Sequence, residues 1–341
     1  MIPMDNGPAC GRWRLGRIIG RGAYGVVYAA SSPEGDVAAV KVCTRGNADP
    51  DRFDRELRGA KLYRNISPSP GLVRVQELGE CDWGFYLAMD LADDEFGARA
   101  TETETYQPKT LARVIASEKA LPLEVTLSLG IQLAQGLVTL QRHHLLHRDV
   151  KPGNVIYVHG SPALSDVGLL VEEAEATSSV GTPGYVPPEN FTSASSDVFS
   201  LGQTLKAASF GRSVEDLALG PTLESDTSSP LFPAWWRILN KATSPDPACR
   251  YRSAKALLND LKSLRRRWIL ATFIRPLVWF GLVAAISLLL SVSALLFQGK
   301  AMHEQENTAR DEYIAQEVKQ ARDNARKAIE SIIHSTSHDL P

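Results

Sequence analysis

Cysteine is scarce in this chain. Cys10, Cys43, Cys81 and Cys249 are the only four in 341 residues, without the short paired spacings of a zinc site or the clustering of a disulfide framework. That pattern suits free thiols in a reducing cytoplasm and excludes a small secreted fold stapled by disulfides. An excess of charge of either sign is missing too. With 37 Lys and Arg against 39 Asp and Glu, the formal net charge of −2 gives no signal for nucleic acid as a partner. Met1 to Arg12 lacks the apolar core of a signal peptide, so export of the N-terminal domain is not expected. The remaining composition, 44% hydrophobic and 22% charged, is the balance of a folded chain rather than a disordered one.

Against this ordinary background one stretch carries chemistry. His147-Arg148-Asp149-Val150-Lys151-Pro152-Gly153-Asn154 puts a carboxylate, a lysine and an amide at the spacing phosphoryl transfer needs. Asp149 can accept the proton of an attacking hydroxyl. Lys151 can neutralise a migrating phosphoryl group, and Asn154 can hold a metal ion that bridges nucleotide phosphates. An eight-residue match can also be a polar turn after a helix, so further motifs must decide.

Gly20-Arg21-Gly22-Ala23-Tyr24-Gly25-Val26-Val27 reads G-x-G-x-x-G-x-V, in which glycines let backbone approach phosphates that a Cβ would push away. A dinucleotide-binding unit uses a similar string but places a helix after it. Here Val26-Val27-Tyr28, the turn Ser32-Pro33-Glu34-Gly35 and Val37-Ala38-Ala39-Val40-Lys41-Val42 predict strand, turn, strand. A helix start comes next, with Asp49 as N-cap and Pro50 at the first helical position. Glu56 lies on that helix among Phe53, Leu57, Ala60, Leu62 and Tyr63, and is the carboxylate best placed to orient Lys41. Downstream, Ala163-Leu164-Ser165-Asp166-Val167-Gly168 ends a strand in Asp-x-Gly, Gly181-Thr182-Pro183-Gly184-Tyr185-Val186-Pro187-Pro188-Glu189 closes a loop, and Asp197-Val198-Phe199-Ser200-Leu201-Gly202 begins a helix.

In this order the motifs resemble those of the eukaryotic-type Ser/Thr protein kinases over about residues 13 to 264. The resemblance implies an α+β bilobal fold, a small β-rich lobe at about 13–92 and a larger helical lobe at about 93–264, with ATP between them. It implies that Gly20, Gly22 and Gly25 cover the phosphates and that Lys41 pairs with the α- and β-phosphates. Val27 and Ala39 line the adenine pocket, and Met89 lies at its back. Within Phe85 to Ala92, Asp90 and Ala92 belong to the hinge that hydrogen-bonds adenine. Asn154 and Asp166 hold Mg²⁺ or Mn²⁺; Glu189 and Arg250 form a structural ion pair. Lys151 together with Thr182 points to the serine/threonine branch, hence to protein hydroxyls as substrate. Arg148 could receive a phosphate from Thr177, Ser178 or Ser179, whose neighbours Glu172, Glu173 and Glu175 could mimic part of that charge.

Two departures stand out. Asp166-Val167-Gly168 has valine where the family has phenylalanine, which supports the alternative of a catalytically weak pseudokinase serving as a nucleotide-binding membrane scaffold. Asp93 to Thr110 reads as a polar insertion after the hinge, a solvated loop.

Leu277 to Phe297 contains no charged residue and is long enough as a helix to cross a bilayer core of ~30 Å. Lys262, Arg265, Arg266, Arg267 and Arg275 precede it; Lys300 and Arg310 come after. The positive-inside rule then keeps the N-terminal domain cytoplasmic and puts 298–341 on the opposite side, with 265–276 as a basic juxtamembrane segment. One kinase joined to one span resembles bacterial membrane-anchored members of the family. In the tail, Ile314, Val318, Ala321, Ala325, Ala328 and Ile332 recur at spacings of 4, 3, 4, 3 and 4, a weak heptad seam that could pair two copies as a homodimer.

Overall fold

The computed structural model describes residues 8–22, 25–45, 50–97, 106–166, 170–172, 181–190, 193–212 and 229–336. Asp49, Val167, Gly168, Thr177, Ser178 and Ser179 lie outside the described residues. The chain divides into two units, 1–268 and 269–341.

The first unit opens with an antiparallel six-stranded sheet built from β1 (Ala9–Cys10), β2 (Trp13–Gly22), β3 (Gly25–Ser31), β4 (Val37–Thr44), β5 (Val75–Cys81) and β6 (Gly84–Met89), in the order β1-β2-β3-β4-β6-β5. The glycine string therefore forms the β2–β3 hairpin, with Gly20 opposite Val27 and Gly22 opposite Gly25. β4 is buried on both faces. Its period of two sends Ala38, Val40 and Val42 into one cluster with Trp13, Tyr86 and Ala88, and Ala39, Lys41 and Cys43 to the other side. There β4 faces α1 (Pro50–Ile66), which buries Phe53, Glu56, Ala60 and Tyr63 at spacings of 3, 4 and 3, one helical stripe interrupted by a single carboxylate.

Helices dominate the rest of this unit: α2 (Leu111–Glu118), α3 (Leu123–Arg142), α4 (Ala194–Phe210), α5 (Phe232–Ala242) and α6 (Ala254–Ile269). α3 and α4 are buried along most of their length, and Leu205 of α4 packs 3.0 Å from where a Cβ on Gly130 would sit, tighter than ordinary contact. A short hairpin, β8 (Val155–Val158) with β9 (Ser161–Leu164), and a two-stranded antiparallel pair of β7 (Leu145–Leu146) with the more distant β10 (Val171–Glu172) frame the loop between Leu146 and Val155. α4 starts at Ala194, three residues earlier than the sequence suggests, so Asp197 sits in its first turn.

The polar stretch after the hinge is more structured at its ends than a solvated loop. Asp93 accepts the N–H groups of His159 at 2.8 Å and Gly160 at 2.7 Å, and buried Asp94 accepts those of Phe96 at 3.1 Å and Gln107 at 2.7 Å. These carboxylates satisfy turn donors that strands and helices leave over.

The second unit holds a π-helical turn, Leu270–Ile274, and α7 (Arg275–Thr336), a 62-residue helix whose described side chains are exposed. Among the described residues two helical stretches are long and apolar enough to cross a membrane: α3, which is mostly buried in the core, and the stretch that includes α7, which buries none of its apolar window.

Candidate active site

Asp197 organises the loop that carries Asp149. From the first turn of α4 its two carboxylate oxygens accept the backbone N–H groups of His147 and Arg148, both at 2.8 Å. The peptide is thereby held through Arg148, which sits at φ 68°, a left-handed conformation a bulky residue adopts only when its surroundings impose it. Asp197 is fully buried. Burial pushes its carboxyl above the ordinary value, opposed by His147 and the two N–H groups. His147 adds a second anchor: its Nε2 lies 3.1 Å from the Ser165 carbonyl, which can only accept, so that nitrogen carries the hydrogen.

The Asp149 carboxylate and carbonyl are held by four contacts at hydrogen-bond range. Asn154 Nδ2 donates to Asp149 Oδ2 at 2.7 Å and to its carbonyl at 2.9 Å; Lys151 Nζ lies 2.9 Å from Oδ2; Thr182 Oγ1 donates to Oδ1 at 3.0 Å. Lys151 Nζ also donates to Thr182 Oγ1 at 2.7 Å, which closes a triangle of carboxylate, ammonium and hydroxyl. A 3-10 turn, Pro152–Asn154, makes this possible by folding Asn154 back over Asp149.

A second cluster centres on Lys41. Its Nζ donates to Asp166 Oδ1 at 2.8 Å. Burial would lower the ammonium's pKa, but the field of Asp166, with that of Glu56 in support, raises it. Glu56 accepts from Cys43 Sγ at 3.4 Å, and burial pushes the Cys43 thiol well up, so it stays a neutral donor. Asp166 thus bonds Lys41 directly, and Glu56 adds a weaker negative field at the ammonium. Three residues along α1, a Cβ on Gly59 would come within 2.9 Å of the Leu170 carbonyl, so the helix and the chain just beyond Asp166 touch backbone to backbone.

The sheet supplies the roof. Strand register puts Val27 beside Lys41 and Met89 beside Ala39, so Val27, Ala39, Lys41 and Met89 share one face. Gly25 has φ 153°, and a Cβ there would strike Val42 O at 2.4 Å, whereas one on Gly20 would meet Val27 at an ordinary 3.6 Å. The protein's own packing demands glycine at 25 but not at 20. The Asp90 carboxylate is bound by Arg74, at 2.8 to 3.1 Å, and by Gln76 at 2.9 Å, and its N–H donates to Arg74 O at 3.0 Å, so its carbonyl is the group left for a ligand. Ala92 O accepts from Tyr106 at 3.0 Å, and among the described residues no acceptor takes the Ala92 N–H.

Among the described residues no group of three or more His, Cys, Asp or Glu could hold a metal. Asn154, whose Nδ2 is spent on Asp149, has Oδ1 left, and Asp166 offers carboxylate oxygen. A hard cation with oxygen ligands, completed by phosphate and water, fits that set; Zn²⁺ does not.

Residues 13–260 match the protein kinase domain family. The chain belongs to that family. It is 32% identical over 272 residues to the serine/threonine-protein kinase PknK of Mycobacterium tuberculosis, covering 73% of this chain and 23% of that protein. Over 276 residues it is 26% identical to the serine/threonine-protein kinase PrkC of Bacillus subtilis, covering 74% and 40%. AfsK of Streptomyces griseus, also a serine/threonine-protein kinase, is 31% identical over 212 residues, 58% of this chain and 24% of that protein. The chain spans less than half the length of these relatives.

Thr182, Asp197 and Cys43 were not legible as parts of these clusters. Thr182 and Asp197 stand in recognisable motifs, yet nothing local in the sequence says that they meet a loop more than thirty residues away. For Cys43 a signal did exist: two residues beyond Lys41 on a strand, it must share that side chain's face.

Proposed function

We propose that this chain is an ATP-dependent protein kinase that phosphorylates Ser and Thr hydroxyls on proteins, itself included. The observation that carries this reading is Asp149, whose two oxygens are aimed by Asn154, Lys151 and Thr182. A carboxylate so held can accept the proton of a substrate hydroxyl as that oxygen attacks the γ-phosphorus. Lys151, already within reach of Asp149, stabilises charge on the transferring group. Lys41, kept cationic by Asp166 and Glu56, positions the α- and β-phosphates beneath Gly20, Gly22 and Gly25. Adenine packs against Val27, Ala39 and Met89 and bonds to the main chain at Asp90 and Ala92. Asn154 and Asp166 would hold Mg²⁺ or Mn²⁺, which neutralises phosphate charge when bound. Transfer of radiolabel from ATP to protein by the purified full-length chain, lost in Asp149→Asn, tests the assignment; equal labelling by the two would overturn it.

The lobe limits are then 13–92 and 93–264. Leu277 to Phe297, exposed along α7, supports a single membrane span with the kinase domain cytoplasmic and the tail opposite, by the basic residues before it. Thr177, Ser178 and Ser179 are the proposed acceptors of autophosphorylation, and a second copy of the chain the proposed partner through the Ile314 to Ile332 seam.

A further inference from the structure

The sheet of the first unit has two edge strands, β1 and β5, and they come into contact with each other. β1 is only two residues long, but the tight turn Gly11-Arg12 pairs it with Trp13 of β2 and carries it round toward β5. Side chains cross the seam. Trp13 Nε1 donates to Glu77 Oε2 of β5 at 2.9 Å, and Arg12 Nε lies 3.4 Å from the same oxygen. Tyr86 OH on β6 donates to the other oxygen, Oε1. Beside this bracket Cys10 and Cys81 come one from each edge strand, packed into the same cluster, with Cys81 close enough to help hold the Cys10 thiol protonated. Cys10 is fully buried among Trp13, Tyr86 and Ala88, and Cys81 is partly buried against the same cluster.

We propose that Cys10 and Cys81 are a dithiol site that peroxide converts to a disulfide, locking the two edges of the sheet together. The other cysteines are poor competitors. Cys43 is buried in a separate cluster against Glu56, and exposed Cys249 bonds to Asp246. The accessible member reacts first: Cys81 sulfur attacks a peroxide oxygen, the O–O bond breaks, and sulfenic acid and water form. Cys10 sulfur then attacks the Cys81 sulfur, the S–O bond breaks, and the leaving oxygen departs as water with the Cys10 proton. Two thiols and one hydrogen peroxide give one disulfide and two waters. Burial holds the Cys10 thiol protonated, its pKa pushed up to about 12, which makes the second step slow and keeps the pair reduced until Cys81 is oxidised. The closed loop runs from Cys10 to Cys81 and so contains Lys41 and Glu56, the cation and carboxylate of the candidate site.

The test uses the full-length protein in detergent. It is exposed to hydrogen peroxide, its remaining thiols are alkylated after denaturation, and it is mapped by non-reducing peptide mass spectrometry. The expected result is a dithiothreitol-sensitive peptide pair joining Cys10 to Cys81, retained in Cys249→Ser and abolished in Cys81→Ser. The thermal midpoint should be higher for the oxidised than for the reduced wild type, and unchanged by peroxide in Cys81→Ser. Because Cys10 is buried, Cys81→Ser carries the test. Alkylated Cys10 beside a sulfinic Cys81, a bond through Cys249 between two chains, or a Cys10–Cys81 bond with no change in midpoint would each overturn the proposal.

Discussion

Lys41 Nζ donates to Asp166 Oδ1 across 2.8 Å, joining strand β4 to the chain beyond β9 although the two residues stand 125 positions apart. Lys41→Met removes the cation that pairs with Asp166 and that, on the proposed reading, holds the phosphates. Phosphoryl transfer should fall by roughly two orders of magnitude or more, the scale of losing a positioning group. The fold should survive, because Asp166 keeps about a third of its side chain in water and is not stranded as a buried charge. Turnover and thermal unfolding measured on the same preparation check both halves.

Thr182 separates two kinds of loss. Thr182→Ala leaves Asp149 and Lys151 in place but takes away the hydroxyl that bonds both. We expect kcat to drop about tenfold with little change in KM for ATP, an effect on the transferring state rather than on binding. Thr182→Ser keeps the hydroxyl and should restore most of the rate. Steady-state kinetics of the two variants, side by side, decide it.

Asp197→Ala leaves two buried N–H groups unpaired, at about 1–3 kcal/mol each. Urea unfolding should show that loss. Activity should fall further than stability explains, because the Arg148 backbone loses the anchor that holds it left-handed. Recovery of full activity at low temperature, where the fold is intact, would argue that Asp197 is structural alone.

Arg250 is buried and donates to both Glu189 oxygens, at 2.7 and 3.2 Å, and to the carbonyls of Ser244, Ser195 and Pro245. Arg250→Met should cost about 3–5 kcal/mol, since a charge in a built pocket loses its partner. Arg250→Lys cannot reproduce a planar fork of bonds and should recover little of it. Denaturant midpoints of the three proteins provide the comparison.

For α7 the prediction concerns rate in a membrane. The full-length chain in liposomes should autophosphorylate faster per molecule than a chain ending at Trp268 at equal bulk concentration, because confinement raises effective concentration. Val318→Glu should narrow the gap. Equal rates with and without α7 would remove assisted pairing and leave the chemistry of Asp149 untouched.

Local sequence carried much of this site. Asp149, Lys151 and Asn154 lie within six residues, so one turn brings them together, and the strand bearing Lys41 and the helix bearing Glu56 are readable from apolar periods of two and about three and a half. Meetings between loops were beyond its reach. Thr182 reaches Asp149 over 33 positions, and Asp197 reaches His147 over 50; neither contact leaves a periodic trace. The same blindness made Asp93 and Asp94 look like solvated charge, when their work is to accept turn N–H groups from partners up to 67 positions away.

The backbone contact of Gly59 with Leu170 has a mechanical meaning. With no room even for a methyl group between them, α1 cannot move closer to Leu170 than it already lies. Glu56 and Asp166 approach Lys41 from these two elements. An inward shift of α1 would therefore press on the Leu170 backbone, and a side chain larger than hydrogen at position 59 would push the helix that carries Glu56 away from it.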